Sequence, residues 1–239
     1  MNIAIIFGRK NSKGLKNKNI INILGKPACH YPIEAAKKAK TIDQIFVSSD
    51  SDFILNYAKK RNCRIINRPS FLATDKALLS DAIFHAVKIC ESKINKINNY
   101  IILLCNSVCI NSKIIDNAVS IISKKKIDTV TTISKFNMFS PVRALKVKNN
   151  YIENYVPNKI MMKYTSLSGD RDRTEDSYFS THSCTVSKSK VFKKIKNNPM
   201  PFKWMGRKKS YILQENCVGD IDFEWQLKVA EWWIKKNEK

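Results

Sequence analysis

Apolar residues recur along this chain in two rhythms. Short apolar runs bounded by polar or turn residues predict strands at "NIAIIF", "IDQIFVSS", "CRIINR", "YIILLC" and "DTVTTIS". Between them lie helical patterns, the clearest from Asp75 to Glu91. There Leu79, Ala82, Ile83, Ala86, Val87 and Cys90 follow the i, i+3, i+4 spacing of one buried stripe. The runs "IAIIF" and "IILLC" are continuously apolar, as strands become when both faces of a parallel sheet are covered. The expected class is therefore α/β, layered around a mostly parallel sheet.

The alternation breaks after Phe136. Residues 137–177 carry Pro141 and Pro157, a hairpin-like pair "ALKV…YIENY" and the charged run "GDRDRTED". A strand pattern returns at "YFSTHSCTVS", followed by a helix, a strand at "SYILQ" and a final helix expected from about Ile221. The economical division is one domain from 1–136 and 178–239, with 137–177 inserted as a lid or subunit contact.

Composition narrows the partners. The 239 residues are 44% apolar, enough for a packed core. No apolar run approaches the roughly 20 residues of a membrane span. The N-terminus has no charged segment ahead of its apolar stretch, so no signal peptide is expected and the cytoplasm is the expected location. The net charge of +23 invites a nucleic-acid partner. The lysines are nevertheless scattered through every helix and loop, in a chain rich throughout in Lys, Asn and Ile, so compositional bias is the preferred explanation. Seven cysteines without a C-x-x-C pair, and three histidines far apart, do not suggest zinc; buried reduced thiols are expected.

Two stretches carry candidate chemistry. "FGRKNSKGLKNKN" leaves the first strand at its carboxyl end, where open α/β sheets bind ligands. It holds Gly8 and Gly14, which let backbone N–H groups approach phosphate, with Arg9, Lys10, Lys13, Lys16 and Lys18 supplying charge. It is not a P-loop, because Leu15 follows Gly14. A phosphate cradle and a solvated basic turn both remain open on these residues alone. In "GDIDFEWQLKVAEWW", Asp220 and Asp222 alternate with Ile221, so an extended backbone points both carboxylates one way, suiting Mg²⁺ beside substrate phosphates. Helix capping is the competing reading. Asp50 faces the site or caps a helix, Arg68 meets a base or phosphate or makes a surface pair, and His85 is expected to be structural.

The blocks "RKNSKGLKNKN", "VSSDSD", "RPSFLATDKA", "LLCNS" and "DIDFEWQLKVAE", in this order across nearly the whole chain, resemble the acylneuraminate cytidylyltransferases. The resemblance implies a three-layer nucleotide-diphospho-sugar transferase-like fold with an inserted dimerisation subdomain, hence a homodimer. It implies transfer of CMP from CTP to the anomeric hydroxyl of a 3-deoxy-2-keto acid sugar, with release of pyrophosphate. It places Gly8, Arg9, Ser12 and Lys13 at the CTP phosphates, with Arg9, Lys13 and Asp222 catalytic. Lys18 and Asn19 fall near the nucleotide, Arg68 and the backbone around Ala73 at the cytidine, and Asp220 and Asp222 at Mg²⁺. Cys105 and Asn106 stand in a sugar-holding run that departs from the family's Gln-Pro-Thr-Ser-Pro. His182 and Ser183 replace a common Asn-Gly or Met-Gly. Arg143, Arg171 and Arg173 in the insertion reach a substrate carboxylate or form a solvated dimer rim. The alternatives are another sugar nucleotidyltransferase, such as one for 3-deoxy-octulosonate, or a basic nucleic-acid-binding α/β protein without catalysis.

Overall fold

A computed structural model describes residues 1–12, 14–162 and 175–237. Its strands are β1 (Asn2–Phe7), β2 (Asn22–Ile23), β3 (Lys26–Pro27), β4 (Gln44–Ser49), β5 (Arg64–Asn67), β6 (Asn99–Leu104), β7 (Thr129–Lys135), β8 (Leu145–Lys148), β9 (Tyr151–Asn154), β10 (Tyr178–Lys188) and β11 (Lys209–Leu213). The helices are α1 (His30–Lys38), α2 (Asp52–Lys59), α3 (Leu79–Lys93), α4 (Ser112–Lys124), the short α5 (Asn158–Met161) and α6 (Lys190–Lys193), and α7 (Trp225–Asn237). Seven strands form one sheet in the order β11-β7-β10-β6-β1-β4-β5. Among the described strands of that sheet, only β10 runs antiparallel to its neighbours.

The unbroken apolar runs are explained by cover on both faces. In β1, Ala4 and Ile6 enter one cluster while Ile3, Ile5 and Phe7 enter the other. In β6, Ile101 and Leu103 face the first and Tyr100 and Ile102 the second. Helices α1, α2 and α4 cover the first face, and α3 and α6 the second, giving three layers. Each fully buried isoleucine here stabilises the fold by about 1.5–3 kcal/mol relative to exposure. A third cluster, with Val108, Cys109, Cys217, Ile221, Ala230 and Trp233, seats α7 beyond the strand ends.

Two helix starts differ from the sequence pattern. The stripe in α3 is buried at Ala82, Ile83, Ala86, Val87 and Cys90 as expected, but the helix begins at Leu79, not Asp75. Asp75 instead pairs with Arg9 of the opening loop, and Leu78 is extended with ψ 140°. The last helix begins at Trp225, not Ile221. Gln226 Oε1 accepts the Asp222 and Phe223 amides at 2.6 and 2.8 Å, so residues 221–224 form a held turn ahead of it. The excursion after β7 contains the antiparallel β8–β9 hairpin, every residue of which is exposed. Both its flanks, β7 and β10, belong to the main sheet and pair with each other.

Candidate active site

The sheet determines where the opening loop starts. Gly8 leaves β1 with its amide donating to the Ser48 carbonyl at 3.2 Å, while the Cys105 amide donates to Phe7 O at 2.8 Å. A Cβ on Gly8 would lie 2.6 Å from Cys105 Sγ and 3.0 Å from Ile54 Cδ1. Glycine is therefore needed here for close packing over the buried Cys105 side chain. The loop is braced internally by Ser12 Oγ, which donates to Leu15 O at 2.6 Å, and by Asn19 Nδ2, which donates to Arg9 O at 2.9 Å. Lys10 N donates to Asp50 Oδ1 at 2.8 Å, so Asp50 holds the loop rather than capping α2.

The loop's cations meet carboxylates from two distant segments. Arg9 Nη1 donates to Asp75 Oδ1 at 2.7 Å and to Thr74 O at 3.3 Å. Lys18 Nζ donates to Asp222 Oδ1. A Cβ on Gly14 would stand 2.9 Å from the Asp222 carbonyl oxygen, so the loop backbone also packs on the aspartate segment. Both ion pairs are partly solvated, and such pairs contribute only about 0–1 kcal/mol, which leaves them cheap to exchange for a ligand's anionic groups.

The aspartate segment is fixed from the end of β6. Asn106 brackets Ile221, its carbonyl accepting Ile221 N at 3.0 Å and its Nδ2 donating to Ile221 O at 3.2 Å. Ser107 Oγ donates to Asp220 Oδ1. Burial pushes the Asp220 carboxyl above its ordinary range, with the Asp222 charge adding to the rise and the Ser107 bond, His182 and Lys18 opposing it.

These groups surround one cavity of about 270 Å³, lined by Gly8, Arg9, Lys18, Asn19, Arg68, Asn106 and Asp220 among others. Leu72, Thr74, Ala77, Leu78, Leu79 and Ala82 supply its apolar wall. Arg68 is buried, with Nη2 donating to Ser48 O at 2.7 Å and Nε to Ser48 Oγ at 3.4 Å, so it is not a surface pair. Burial lowers its guanidinium pKa, opposed by Asp50. His85 lies in α3 near Arg68, its Nδ1 buried without a hydrogen-bond partner among the described residues.

The candidate residues divide accordingly. Seven of them line the cavity. Ser12 shapes the loop, Ala73 lies between the lining residues Leu72 and Thr74, Cys105 is buried beneath Gly8, and Asp222 pairs with Lys18. Arg143 closes an exposed turn in the excursion and is not among the lining residues. Lys13, Arg171 and Arg173 lie outside the described residues. Asp75, Ser107 and Gln226 are contributors that the sequence reading did not single out. Asp75 stands in the quoted block "RPSFLATDKA", where a lone carboxylate opposite five loop cations was the available signal.

Residues 3–189 match the family profile described as cytidylyltransferase. The chain belongs to the cytidylyltransferase family. Among curated relatives of this cytidylyltransferase, a Helicobacter pylori protein named pseudaminic acid cytidylyltransferase and UDP-2,4-diacetamido-2,4,6-trideoxy-beta-L-altropyranose hydrolase is 36% identical over 149 residues, 62% of this chain and 28% of that protein. An Escherichia coli N-acylneuraminate cytidylyltransferase is 40% identical over 87 residues, 36% of this chain and 21% of that protein. The matched region thus spans less than a third of either relative. A Campylobacter jejuni pseudaminic acid cytidylyltransferase aligns along 100% of this chain and 98% of its own length at 26% identity. In fold, the cytidylyltransferase superposes on the structure of CMP:2-keto-3-deoxy-manno-octonic acid synthetase complexed with CTP, with a TM-score of 0.67, 13% identity and 98% of each chain covered. The α/β expectation and the resemblance to acylneuraminate cytidylyltransferases both hold.

Proposed function

We propose that this chain transfers the CMP group of CTP to the anomeric hydroxyl of a nonulosonic acid, releasing pyrophosphate. The observation that carries this reading is the convergence of Arg9, Lys18, Asn19, Arg68, Asn106 and Asp220 on one cavity in a member of the cytidylyltransferase family. Arg9 and Lys18 are the mobile charges of the site, because each is held by a weak, replaceable ion pair. On nucleotide binding their cationic heads move from Asp75 and Asp222 to the phosphoryl oxygens, where charge grows as pyrophosphate departs. Arg68 cannot follow them, being fastened to Ser48, and serves as the fixed contact for the nucleoside end. Lys13 and Arg173 keep the phosphate and substrate roles that the resemblance implies.

The donor set suits a hard divalent cation. Asp220 and Asp222 offer two carboxylates near each other, and burial makes the Asp220 charge costly on its own, a cost that a cation relieves. These two residues would hold Mg²⁺, which supplies charge neutralisation for the triphosphate. The direct test is pyrophosphate release from CTP with a panel of nonulosonic acids, with and without Mg²⁺. Turnover should require both the acid and the metal, and should fail for ATP, GTP and UTP. A 3-deoxy-octulosonate in the panel separates the related sugar class, and the absence of turnover with any acid would remove the reading.

The same proposal includes a homodimer joined through the excursion. Val147, Tyr151, Ile152 and Tyr155 are 66–77% exposed on and beside the β8–β9 hairpin. Paired Val147→Asp and Ile152→Asp changes should give a monomer by light scattering. All seven cysteines are free, which suits a reducing cytoplasm. No described helix is long and apolar enough to cross a membrane.

A further inference from the structure

The seven-stranded sheet has two unlike ends. Phe7 and Leu104 close β1 and β6 side by side and line the cavity, so the candidate active site lies at their carboxyl ends. At the other end, six residues away at roughly 3.3 Å per residue, the same strands begin at Asn2 and Asn99. Because β10 runs antiparallel, it finishes here, with Lys188 opposite Asn99. Strand β7 starts here at Thr129, opposite Ser187, and β11 starts beside it with Lys209 opposite Thr129. Three connections that are distant in sequence therefore meet at one end of the sheet.

These connections are strongly basic. Residues 124–128, 188–190 and 207–209 read KKKID, KSK and RKK, eight cations to one carboxylate, against 43 to 20 in the whole chain. Scattered lysines account for the overall charge but not for this local excess. The one carboxylate, Asp128, is committed to holding the three segments together. It accepts Arg207 N at 3.2 Å and Lys208 N at 3.0 Å, and it pairs with Lys190 Nζ at 3.1 Å. Every one of the eight cationic residues is exposed except Lys188, which is half-buried and donates through Nζ to Lys125 O at 3.3 Å. A cleft of about 460 Å³ opens where β6 begins and β10 ends. Its polar lining is Asn98, Asn99, Ser123, Lys188, Ser189 and Lys190, and none of the described residues lining it is acidic. Ammonium, hydroxyl and amide donors without a carboxylate suit phosphate oxygens.

We propose that this basic end of the sheet seats the protein on an anionic phospholipid surface, with a lipid phosphate entering the cleft at Lys188 and Lys190. The occupant is argued from the spread and the type of the cations. They lie across the ends of four adjacent strands, β6, β10, β7 and β11, as contact with a plane of headgroups requires. All but Arg207 are lysines, point charges that suit a diffuse anionic surface. The three segments hold no aromatic residue on which nucleic-acid bases could stack. Seated this way, the cavity end of the sheet is turned away from the bilayer. The inference is independent of the proposed activity, since its test needs no turnover.

Co-sedimentation with vesicles of about 30% phosphatidylglycerol in phosphatidylcholine, and with phosphatidylcholine alone, reads the binding directly. Anionic vesicles should bind at least about tenfold more protein than neutral ones, and salt at about 0.5 M should release it. Lys125→Glu, Lys126→Glu and Lys208→Glu together should weaken binding at least about tenfold with an unchanged melting temperature. Lys208 meets Asp128 through its backbone amide, so the triple change leaves that junction intact. Should the triple variant melt earlier, Lys126→Gln with Lys208→Gln reads a smaller loss, about threefold, without reversing charge. A control of equal charge, Lys113→Glu, Lys228→Glu and Lys235→Glu, lies on the first turn of α4 and on α7. It should bind within about threefold of the parent. Equal losses in the two triple variants would mean that net charge alone drives binding, and the inference falls. Displacement by glycerol phosphate at about 5 mM would assign the cleft to a soluble phosphate. Tighter binding to a single-stranded RNA than to vesicles at the same salt would assign the face to nucleic acid. Either result overturns the proposal, as does a failure of the parent to bind anionic vesicles.

Discussion

The Lys18 ammonium donates to the Asp222 carboxylate across 204 residues of sequence, tying the basic loop after β1 to the segment that leads into α7. One residue is a candidate phosphate ligand and the other a candidate metal ligand, and each neutralises the other. Under the proposed function, nucleotide binding exchanges these partners instead of uncovering bare charge. Asp222→Asn should lower turnover at least about 100-fold, equivalent to about 2.7 kcal/mol of barrier. The same change releases Lys18, so CTP binding without Mg²⁺ should be unchanged or tighter. Pyrophosphate release and calorimetry in chelator measure the two effects separately.

Asp220 should show activity and stability opposed. Burial raises its carboxyl pKa, so the stability linked to it is fully present below the unfolded value near 3.9 and is lost as pH rises through the folded value. At pH 7 the charge therefore costs folding free energy. Asp220→Asn keeps an acceptor for Ser107 Oγ and removes the charge. The variant should melt at a higher temperature than the parent at pH 7 while losing turnover. A lower melting temperature would show that the charge is not a burden.

Gly8 is held by its neighbours more than by its own backbone angles. Gly8→Ala places a methyl group 2.6 Å from Cys105 Sγ and should destabilise by about 1–3 kcal/mol, read from denaturant midpoints. Adding Cys105→Ala removes the sulfur and should recover part of that loss, giving a coupling energy in a double-mutant cycle.

Asp116 gives a pH signature far from the cleft. Burial alone would raise its carboxyl, but it accepts Thr41 Oγ1 at 2.7 Å, Thr41 N at 2.9 Å and Lys40 N at 3.2 Å, and these bonds together hold it below the ordinary range. Its contribution is complete above the unfolded pKa near 3.9 and disappears as pH falls through the folded value. Asp116→Asn should cost about 1 kcal/mol at pH 7. The difference from the parent should close in acid, as followed by thermal melts from pH 7 to pH 3.

The seven strands of the main sheet were legible because each is a short run whose length and flanking polar residues mark its ends, although the edge strands β5 and β11 bury little of theirs. The direction of β10 was not, since an antiparallel strand buried on both faces has the same apolar content as a parallel one. Helix α3 was read from its stripe, yet the stripe does not say where hydrogen bonding begins. Asp75, at the head of the pattern, pairs with Arg9 instead. In the site, Arg9, Lys18 and Asp220 were found because charge and glycine mark loops at strand ends. Ser107 and Gln226 were not, because a neutral side chain that steadies a carboxylate leaves no mark in one sequence. Gly8 was noted for a backbone close to phosphate, whereas its packing reason appears only when Cys105 is set beside it.

The bracket that Asn106 places around Ile221 has a consequence for the order in which the protein matures. During synthesis the loop after β1, the Arg68 wall and the end of β6 all emerge more than a hundred residues before the aspartates they steady. Domains fold as units, and the sheet that carries this cleft is complete only when β10 and β11 have joined it. The cleft is therefore assembled late, when the segment before α7 comes to lie against Asn106 and Ser107, and Lys18 gains Asp222 in the same step.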